Sequence, residues 1–363
     1  MMEEIQEPIY EGKLGYRDLL REYYTTSTLH IDDIQRREIS INANIRNIYC
    51  NTVDELVEKL ILQQKAPHGV YASTGYYLDP HDCKDLINYE LVFDLDTDKA
   101  FENRWDQIED SRKITLRLID TVLNDLGFEK EDMVIDYSGN KGFHVTITDP
   151  YYRNLDASDR RQLLDYIQGK GVDKKNIIVD GKLRPYGWGR QVGHFINEII
   201  LSPDFDKEVL NTYFASGWRT TNQYPVNKNV VKKISALLEN PQKVEDLKAG
   251  RFKEFTGLLP ATFRYTKELS DYVDRKVTTD RRRILRVPGS IHGKSGLPSI
   301  RLDYDELAFT EIIVEKLMTT VGLDNVTILL EEDVTIDFPQ KKTIPAGEHT
   351  LPRYEALCVL SKV

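Results

Sequence analysis

The sequence predicts a mixed α/β fold of the α+β type, in which a mixed-sheet core is interrupted by an inserted helical subdomain. Between residues 89 and 148, a strand, a helix and a pair of strands follow one another, an order typical of mixed structure. From 157 to 259 helical apolar spacing prevails, and strand patterns return afterwards. We therefore expect a discontinuous core of residues 1–156 and 260–363, with the helical subdomain at 157–259.

The N-terminal elements follow from residue spacing. YRDLLREYYTT has the apolar spacing of a helix, REISINANIRNIYC alternates isoleucines as strands do, and TVDELVEKLILQQK is again helical. Thr52 stands at the start of the second helix, and Glu55 lies three residues after Thr52, which is the pattern of an N-cap with a capping box. The chain is therefore expected to begin with a helix, strands and a second helix.

The central elements surround the apolar run NYELVFDLD, which we predict to be a buried strand. An amphipathic helix is expected from about Arg112 to Gly127, since glycine suits a helix end. DMVIDYSGNKGFHVTIT then predicts two strands joined by a Gly-rich turn. Beyond the helical subdomain, strand patterns recur in RRILRVPGSIHGKSGLPSIRL and near NVTILLEEDVTIDF.

Composition and charge describe an ordinary folded protein of 363 residues, 40% apolar and 30% charged. A net charge of -10 argues against a protein that coats nucleic acid through bulk charge, although basic residues crowd the segment from Lys276 to Arg301. The acidic start lacks the pattern of a secretory signal, and no apolar run is long enough to cross a bilayer. We expect an intracellular, cytoplasmic protein.

The cysteines Cys50, Cys83 and Cys358 are odd in number and far apart. We therefore expect reduced thiols rather than a disulfide framework. His81 and Cys83 could begin a metal site, but no second ligand pair follows at zinc-finger spacing. The sequence thus favours the absence of zinc.

Aspartates at alternate positions end the buried strand: Asp94, Asp96 and Asp98. Residues two apart in a strand point to the same face about 6.6 Å apart, so Asp94 and Asp96 can converge on divalent ions. Mg²⁺ and Mn²⁺ suit such a pair because they keep positions open for phosphate oxygens. A calcium-binding EF-hand also begins D-x-D-x-D, but Lys99 stands where it needs glycine and Trp105 where it needs glutamate. The alternative is a solvated strand end with helix-capping aspartates.

A Gly-rich turn follows in SGNKGFHV, residues 138–145. Gly139 and Gly142 permit backbone angles that let amides face an anion. His144 begins the polar face of the next strand and is available to a ligand there. The alternative is an ordinary hairpin turn with a surface histidine. The side-chain donors of the turn are Ser138, Asn140 and Lys141.

A basic segment, RILRVPGSIHGKSG, spans residues 283–296. Its Gly-Lys-Ser invites comparison with a Walker A phosphate loop, but that motif needs a glycine where Pro288 stands. Arg286 and His292 instead flank a Pro-Gly turn, and Lys294 lies in the next turn. Cationic donors therefore gather here, and a basic surface hairpin is the alternative.

Together, the carboxylates, the Gly-rich turn and the basic segment supply the residue types that enzymes of nucleotidyl transfer use. In that chemistry, two metal ions about 3.5–4 Å apart activate an attacking 3′-hydroxyl and neutralise the leaving pyrophosphate. Cationic side chains stabilise the charge on the triphosphate. The combination is more specific than any one of its parts.

Several strings, taken in their order along the chain, resemble the catalytic small subunit of archaeal and eukaryotic DNA primase. The resemblance runs from about Arg36 to the C-terminus. It implies an archaeo-eukaryotic primase catalytic core with a smaller helical subdomain, which makes short primers de novo on single-stranded DNA from nucleoside triphosphates. The strings are RREISI, YASTGYYLDP, ELVFDLDTD, SGNKGFHV, DRKVTTDRRRILRVPGSIHGKSG and LPRYEALCVLSK.

The resemblance also implies roles for individual residues. Asp94, Asp96 and Asp274 match the family's metal-binding catalytic aspartates, whereas Asp280 lies close by but outside the match. Arg46 matches a further nucleotide contact across a gap in the alignment. The implied contacts to the triphosphate are Ser138, Lys141, His144, Arg286 and His292, with Asn140 at a position that is often basic in relatives.

The resemblance implies cofactors and partners as well. Mg²⁺ or Mn²⁺ would serve the carboxylates, and a large subunit with an iron-sulfur cluster would complete a heterodimer at the replication fork. Family members usually carry a small zinc module near the catalytic aspartates, but the chain between Asp96 and Ser138 contains no cysteine. A role for zinc is therefore not expected.

Three other functions remain as alternatives to a primase catalytic subunit. A stand-alone primase-polymerase would use the same site without the large subunit. A catalytically silent structural or nucleotide-binding subunit is disfavoured because all three aspartates are retained. A metal-dependent glycosyltransferase also uses D-x-D, but it has no evident use for the basic segment after Asp274.

Overall fold

The computed structural model describes residues 13–97, 100–173, 175, 177–197, 201, 236, 239–249, 251 and 272–363. Asp98 and the stretches 202–235 and 252–271 lie outside the described residues. These stretches include much of the expected helical subdomain.

Helices and strands alternate along the described chain. The helices are α1 (Tyr16–Thr26), α2 (Val53–Ile61), α3 (Arg104–Leu126), α4 (Ala157–Ile167), α5 (Gly187–Phe195), α6 (Pro241–Lys248), α7 (Arg275–Thr279), α8 (Thr310–Val321) and α9 (Arg353–Leu360). The strands are β1 (Ile39–Ile41), β2 (Ile45–Ile48), β3 (Val70–Ser73), β4 (Gly75–Asp79), β5 (Lys84–Tyr89), β6 (Leu91–Asp96), β7 (Met133–Tyr137), β8 (Gly142–Ile147), β9 (Ile178–Val179), β10 (Lys182–Leu183), β11 (Ile284–Arg286), β12 (Ile300–Leu302), β13 (Asn325–Leu330), β14 (Val334–Ile336), β15 (Lys342–Ile344) and β16 (Gly347–Pro352).

The chain divides into two compact units. The first comprises Met1–Thr115, Lys130–Ala157 and Asp274–Val363, and the second comprises Leu116–Glu129 and Ser158–Val273. The first unit holds two four-stranded sheets. The first sheet has the order β11-β3-β1-β2, and the second sheet has the order β12-β7-β8-β6.

The predicted α+β class is confirmed by this combination of helices and small sheets. In both four-stranded sheets the described strand pairs are antiparallel, where a mixed sheet was expected. The reason is the position of β8, which pairs with β6 on one side and with β7 on the other. Strands β6 and β7 are connected through α3 and run in the same direction, but β8 separates them, so no parallel pair forms between them.

The N-terminal elements agree with their sequence patterns. Helix α1 coincides with YRDLLREYYTT, and the Thr52 side chain caps α2 by accepting the main-chain N–H of Glu55. The Glu55 carboxylate in turn accepts the main-chain N–H of Asn51 at 2.8 Å, where a capping box would have it accept that of Thr52. The predicted cap is therefore confirmed, with its reciprocal bond displaced by one residue.

Helix α3 begins at Arg104, well before the expected start near Arg112, and ends before Gly127 as expected. The cause is a local cap, because Asn103 accepts the main-chain N–H of Asp106 at 2.9 Å and donates to the Asp106 carboxylate. Such side-chain bonds satisfy the free N–H groups of a first helical turn. The extra turns place Arg104 beside the Gly-rich turn.

The two faces of the second sheet differ in polarity, because successive side chains of a strand alternate. One face carries apolar, fully buried residues such as Phe93, Phe143 and Val145. The opposite face carries Asp94 and His144, which are cross-strand partners. The apolar face forms part of the core, and the polar face carries the ionisable side chains.

The second unit contains α4 and α5 among its described elements. Within it, Arg190 bridges Asp120 at 2.8 Å and Asp125 at 2.9 Å. Trp188 is buried and donates its indole N–H to the carbonyl of Tyr166 at 3.1 Å. Polar bridges and an aromatic contact therefore hold these helices together.

Among the described residues, no helix combines the length and the apolar character that crossing a membrane requires.

Candidate active site

Strand β6 carries the first two aspartates of the site. Asp94 is 9% exposed, whereas Asp96 at the strand end is exposed. Their neighbours Phe93 and Leu95 are fully buried on the opposite face. Alternation therefore presents both carboxylates on the polar face, one inside it and one at its rim.

Asp274 comes to β6 from a distant part of the chain. Its main-chain N–H donates to the carbonyl of Asp94 at 2.9 Å. Its side chain caps α7 by accepting the N–H of Lys276 at 2.8 Å, and the Thr278 hydroxyl on that helix donates to the carbonyl of Val92 at 2.7 Å. These bonds hold α7 against the strand that bears Asp94, so the structure brings Asp94, Asp96 and Asp274 together.

The Asp94 carboxylate is largely buried. Its Oδ1 is buried without a hydrogen-bond partner, and the Nε2 of His144 lies 3.5 Å away. Burial and the neighbouring Asp274 carboxylate raise the pKa of Asp94 to about 7, while Arg283 acts in the opposite direction. A carboxylate kept out of water beside a second one is stabilised by a bound cation.

These residues fit a divalent ion that takes part of its ligands from substrate. Among the described residues, no three His, Cys, Asp or Glu side chains approach closely enough to hold a metal by themselves. Mg²⁺ commonly binds through one or two carboxylates and completes its shell with water and phosphate oxygens. The orphaned Oδ1 of Asp94 and the adjacent Asp274 are a donor set of this kind.

The Gly-rich turn is stabilised by its own serine. The Ser138 hydroxyl accepts the main-chain N–H groups of Asn140 at 3.4 Å and of Gly142 at 3.3 Å. Gly139 has a φ of +81°, a left-handed angle that glycine adopts without strain. Lys141 is exposed at the tip of the turn. The turn thus forms a compact loop with a cationic side chain at its edge.

His292 lies beside this turn. A Cβ placed on Gly139 would come within 3.1 Å of the Cβ of His292. The Nδ1 of His292 accepts the N–H of Lys294 at 3.2 Å. Burial first, then Arg286 and Arg104, lowers the pKa of His292 to about 3. The ring is therefore neutral, and with Nδ1 used as an acceptor its Nε2 carries the proton and can donate.

Arg286 is held by neighbours in the first sheet and its adjoining loop. It donates to the carbonyl of Ile291 at 2.9 Å and to the hydroxyl of Tyr71, over whose ring its guanidinium stacks at 4.6 Å. Arg286 and His144 line the same polar cavity of about 70 Å³. The structure thus places a fixed cation near the histidine of β8.

A row of charged side chains crosses the second sheet at His144. The cross-strand partners of His144 are Asp94 on one side and Asp136 on the other, and Arg301 is the next partner beyond Asp136. Arg301 donates to the buried Asp136 carboxylate at 3.1 Å. Asp136 and Arg301 were not among the predicted site residues, although a carboxylate inside the apolar strand MVIDY is a signal that could have revealed the first.

Arg46 is tied to a different group. Its guanidinium makes two hydrogen bonds of 2.7 Å to the buried carboxylate of Glu38, and Cys83 donates to the same carboxylate at 3.3 Å. No described contact joins Arg46 to the aspartates. Asp280 is exposed at the end of α7, where its side chain accepts the N–H of Arg282 at 3.0 Å.

The chain is similar to a family of known proteins. A family model described as DNA primase small subunit matches residues 93–304. That range contains every residue of the predicted site except Arg46. The aspartates, the Gly-rich turn and the basic segment therefore all lie within the matched region.

Curated archaeal relatives extend the similarity over most of the chain, and each bears the name DNA primase small subunit PriS. The protein of Methanococcoides burtonii is 28% identical, over 81% of this chain and 83% of the relative. The protein of Picrophilus torridus is 27% identical, over 96% of this chain and 95% of the relative. The protein of Halobacterium salinarum is 26% identical, over 83% of this chain and 82% of the relative.

Proposed function

Because the chain belongs to the DNA primase small subunit family, we propose that Asp94, Asp96 and Asp274 form its catalytic centre. The protein is a DNA primase catalytic subunit, a DNA-directed nucleotidyltransferase that synthesises primers. The observation that carries the assignment of the centre is the hydrogen bond between the N–H of Asp274 and the carbonyl of Asp94. It joins the main chains of two acidic residues that are distant in sequence and lie within the matched region.

The carboxylates would hold divalent metal, Mg²⁺ or Mn²⁺. When bound, such ions activate an attacking 3′-hydroxyl and neutralise the leaving pyrophosphate. Asp94 is poised for this role because its Oδ1 is buried and unpartnered. Asp96, exposed at the strand end, lies where substrate can approach.

The donors around the carboxylates would bind the triphosphate of the incoming nucleotide. Lys141 supplies a cation at the edge of the Gly-rich turn, and His292 presents Nε2–H from a fixed ring. Such preorganised donors stabilise charge that develops on phosphate in the transition state. The proposed triphosphate contacts are Ser138, Asn140, Lys141, His144, Arg286 and His292.

Arg46 is proposed as a further nucleotide contact. Its side chain is 44% exposed, and the guanidinium can offer its remaining N–H groups while Glu38 holds it. The bidentate pair would keep the side chain in one orientation before nucleotide arrives.

The partners are proposed from the family. The relatives are named as small subunits, and we infer that this chain works with a large subunit at the replication fork. Its substrates would be a single-stranded DNA template and nucleoside triphosphates. A stand-alone primase-polymerase would use the same centre without that partner.

Primer synthesis on an unprimed single-stranded DNA template, with labelled nucleotides and Mg²⁺ or Mn²⁺, tests the proposal. We expect new oligomers from the wild type and none from the Asp94→Ala plus Asp96→Ala variant. The matched control is Asp305→Ala plus Glu331→Ala, which removes two exposed carboxylates outside the site and should leave synthesis unchanged.

The pattern of products separates the alternatives. Extension of a supplied primer without initiation would identify a polymerase that needs the large subunit to start a chain. Neither initiation nor extension would support a silent subunit. Equal activity in the wild type and the Asp94→Ala plus Asp96→Ala variant would place the catalytic centre elsewhere.

A further inference from the structure

Three consecutive carbonyl groups of the Gly-rich turn, those of residues 139–141, accept hydrogen bonds from side chains. The Gly139 carbonyl accepts the hydroxyl of Ser295 at 2.5 Å, and the Lys141 carbonyl accepts the hydroxyl of Ser111 at 2.7 Å. Between them, the Asn140 carbonyl accepts Arg104 at 2.7 Å and the hydroxyl of Tyr137 at 2.8 Å. Three consecutive carbonyls are thus turned towards the protein.

This arrangement decides which groups the turn can offer to a ligand. In a trans peptide the C=O and N–H point in opposite directions, so capturing the carbonyls turns the amide groups the other way. The N–H groups of Asn140 and Gly142 converge on the Ser138 oxygen at 3.4 Å and 3.3 Å, so the Ser138 hydroxyl keeps its own proton to donate to an anion. The orientation of the turn therefore depends on the side chains that hold its carbonyls.

Arg104 makes the most extensive of these contacts. One terminal nitrogen donates to both the carbonyl and the Oδ1 of Asn140, the latter at 3.1 Å, and also to Gln107 at 2.5 Å. The other donates to the Asp337 carboxylate at 2.9 Å. The main-chain N–H of Arg104 also donates to the Asp337 carbonyl at 2.8 Å. Arg104 is 6% exposed, so these bonds are shielded from competing water.

The geometry points to Arg104 as a positioning residue for the triphosphate site: its guanidinium, anchored on Asp337, holds the Asn140 peptide so that the Gly-rich turn faces an anion. This inference rests on the proposed function, which assigns the triphosphate to that turn. Arginine is suited to the task because its planar fork donates to several acceptors at fixed angles. Lysine, with a single ammonium, lacks that fork.

Arg112 provides a matched control on the same helix. Like Arg104 it is mostly buried, with a side chain 11% exposed. It bonds to Glu109 at 2.8 Å and to the carbonyl of Leu307 at 2.8 Å, and no bond of its guanidinium reaches the turn. Replacing Arg112 therefore removes side-chain hydrogen bonds of α3, as replacing Arg104 does, but leaves the contacts to the Asn140 peptide intact.

The test measures binding of inorganic triphosphate by calorimetry, and the KM for nucleotide in primer synthesis, for wild type, Arg104→Lys, Arg104→Met and Arg112→Met. A displacement of about 1 Å in a binding site can cost up to about 100-fold. We therefore expect Arg104→Met to weaken triphosphate binding and raise the nucleotide KM at least tenfold. Arg104→Lys should show nearly the same losses in triphosphate binding and in nucleotide KM. For both variants, kcat at saturating nucleotide should change less than KM.

The control distinguishes positioning from general stability. Arg112→Met should lower the melting temperature as Arg104→Met does, but leave the Kd for triphosphate at the wild-type value. Equal Kd values for wild type and Arg104→Met would overturn the inference while leaving the proposed function intact. Failure of the wild type itself to bind inorganic triphosphate would instead refute the assignment of the turn, and with it the premise of the inference.

Discussion

Asp94 combines burial with charge in a way that affects the whole site. Its carboxylate is buried, its Oδ1 has no hydrogen-bond partner, and Asp274 lies beside it. Each of these factors disfavours the ionised form. Ionisation of Asp94 therefore lowers the free energy of unfolding when no cation is bound beside it.

We predict that Asp94→Asn stabilises the metal-free protein at high pH. The pKa of Asp94 is raised from 3.8 to about 7 in the folded state. The folded protein thus binds this proton more tightly, and the free energy of unfolding falls as pH rises between these two values. Asparagine does not ionise, so the variant escapes this loss.

Thermal melts in chelator check the expectation. Asp94→Asn should melt several degrees above wild type at about pH 8, and the difference should shrink at about pH 5. An identical melting temperature for both proteins at both pH values would show that the Asp94 carboxylate is already stabilised in the metal-free state.

Asp136 and Arg301 form an ion pair in which the carboxylate is buried. Asp136 is 6% exposed, and Arg301 is its hydrogen-bond partner among the described residues. Burial raises the pKa of Asp136, while Arg301 acts in the opposite direction. Arg301 therefore stabilises the ionised form of a carboxylate that burial alone would disfavour.

Replacing the arginine by an apolar side chain should destabilise the fold. Removing one member of a fully buried pair costs about 3–5 kcal/mol, but the Arg301 side chain is 36% exposed. Solvent screening reduces the effect, and we expect Arg301→Met to lower the free energy of unfolding by about 1–3 kcal/mol. Urea unfolding measures it, with the exposed Arg161→Met as control. A loss no larger than that of the control would mean that water replaces Arg301.

At the scale of elements, the close approach of β6 and β8 shapes the site. Asp96 is the cross-strand partner of Gly142, and a Cβ on Gly142 would lie 1.6 Å from the carbonyl oxygen of Leu95. No side chain fits at that distance. The glycine thus allows the strand that carries Asp94 and Asp96 to pair directly with the end of the Gly-rich turn.

We predict that Gly142→Ala separates these strands locally. The displaced β6 would carry Asp96 away from the turn, so primer synthesis should fall by at least 100-fold, an effect typical of misplaced catalytic groups. The melting temperature should also fall, because backbone has to shift. The control is Gly193→Ala in α5, where the new Cβ would meet its nearest neighbour at an ordinary 3.7 Å.

The control should be neutral or slightly stabilising, since alanine favours helices over glycine by up to about 1 kcal/mol. Wild-type activity in Gly142→Ala would show that the β6 and β8 pairing tolerates a side chain. It would also remove the structural reason for glycine at this position.

At the scale of the whole molecule, charge is unevenly distributed. The net charge is -10, yet Arg281 and Arg282 are exposed next to the site, and no ion pair among the described residues uses either of them. Overall repulsion of nucleic acid combined with a local basic surface favours a small number of phosphate contacts. Binding of a template should accordingly be weak and local.

The salt dependence of single-stranded DNA binding tests this distribution. The logarithm of the binding constant falls with the logarithm of salt concentration by about 0.7 per phosphate contacted. Arg281→Ala plus Arg282→Ala should reduce the magnitude of this slope by about 1.4. Lys175→Ala plus Lys248→Ala, which removes two exposed cations of the second unit, should leave it unchanged. Equal slopes for all three proteins would place the template elsewhere.

Local patterns in the sequence were sufficient for several elements and for much of the site. The α1 helix, the Thr52 cap and the β7–β8 hairpin depend on neighbouring residues, whose spacing and capping chemistry are visible in the chain itself. The aspartates of β6 were recognisable because alternation in a strand requires only adjacent residues. Asp274 and Arg46 came from the family resemblance rather than from spacing.

The arrangement across strands and turns depended on contacts between distant residues. Asp94 became a neighbour of His144 only through the pairing of β6 with β8, and Arg301 a neighbour of Asp136 only through the pairing of β12 with β7. Arg104 meets Asn140 because Asn103 starts α3 earlier than its apolar spacing indicates. Such contacts follow from which strands pair and where a helix is capped, and the apolar pattern of a single segment does not encode that choice.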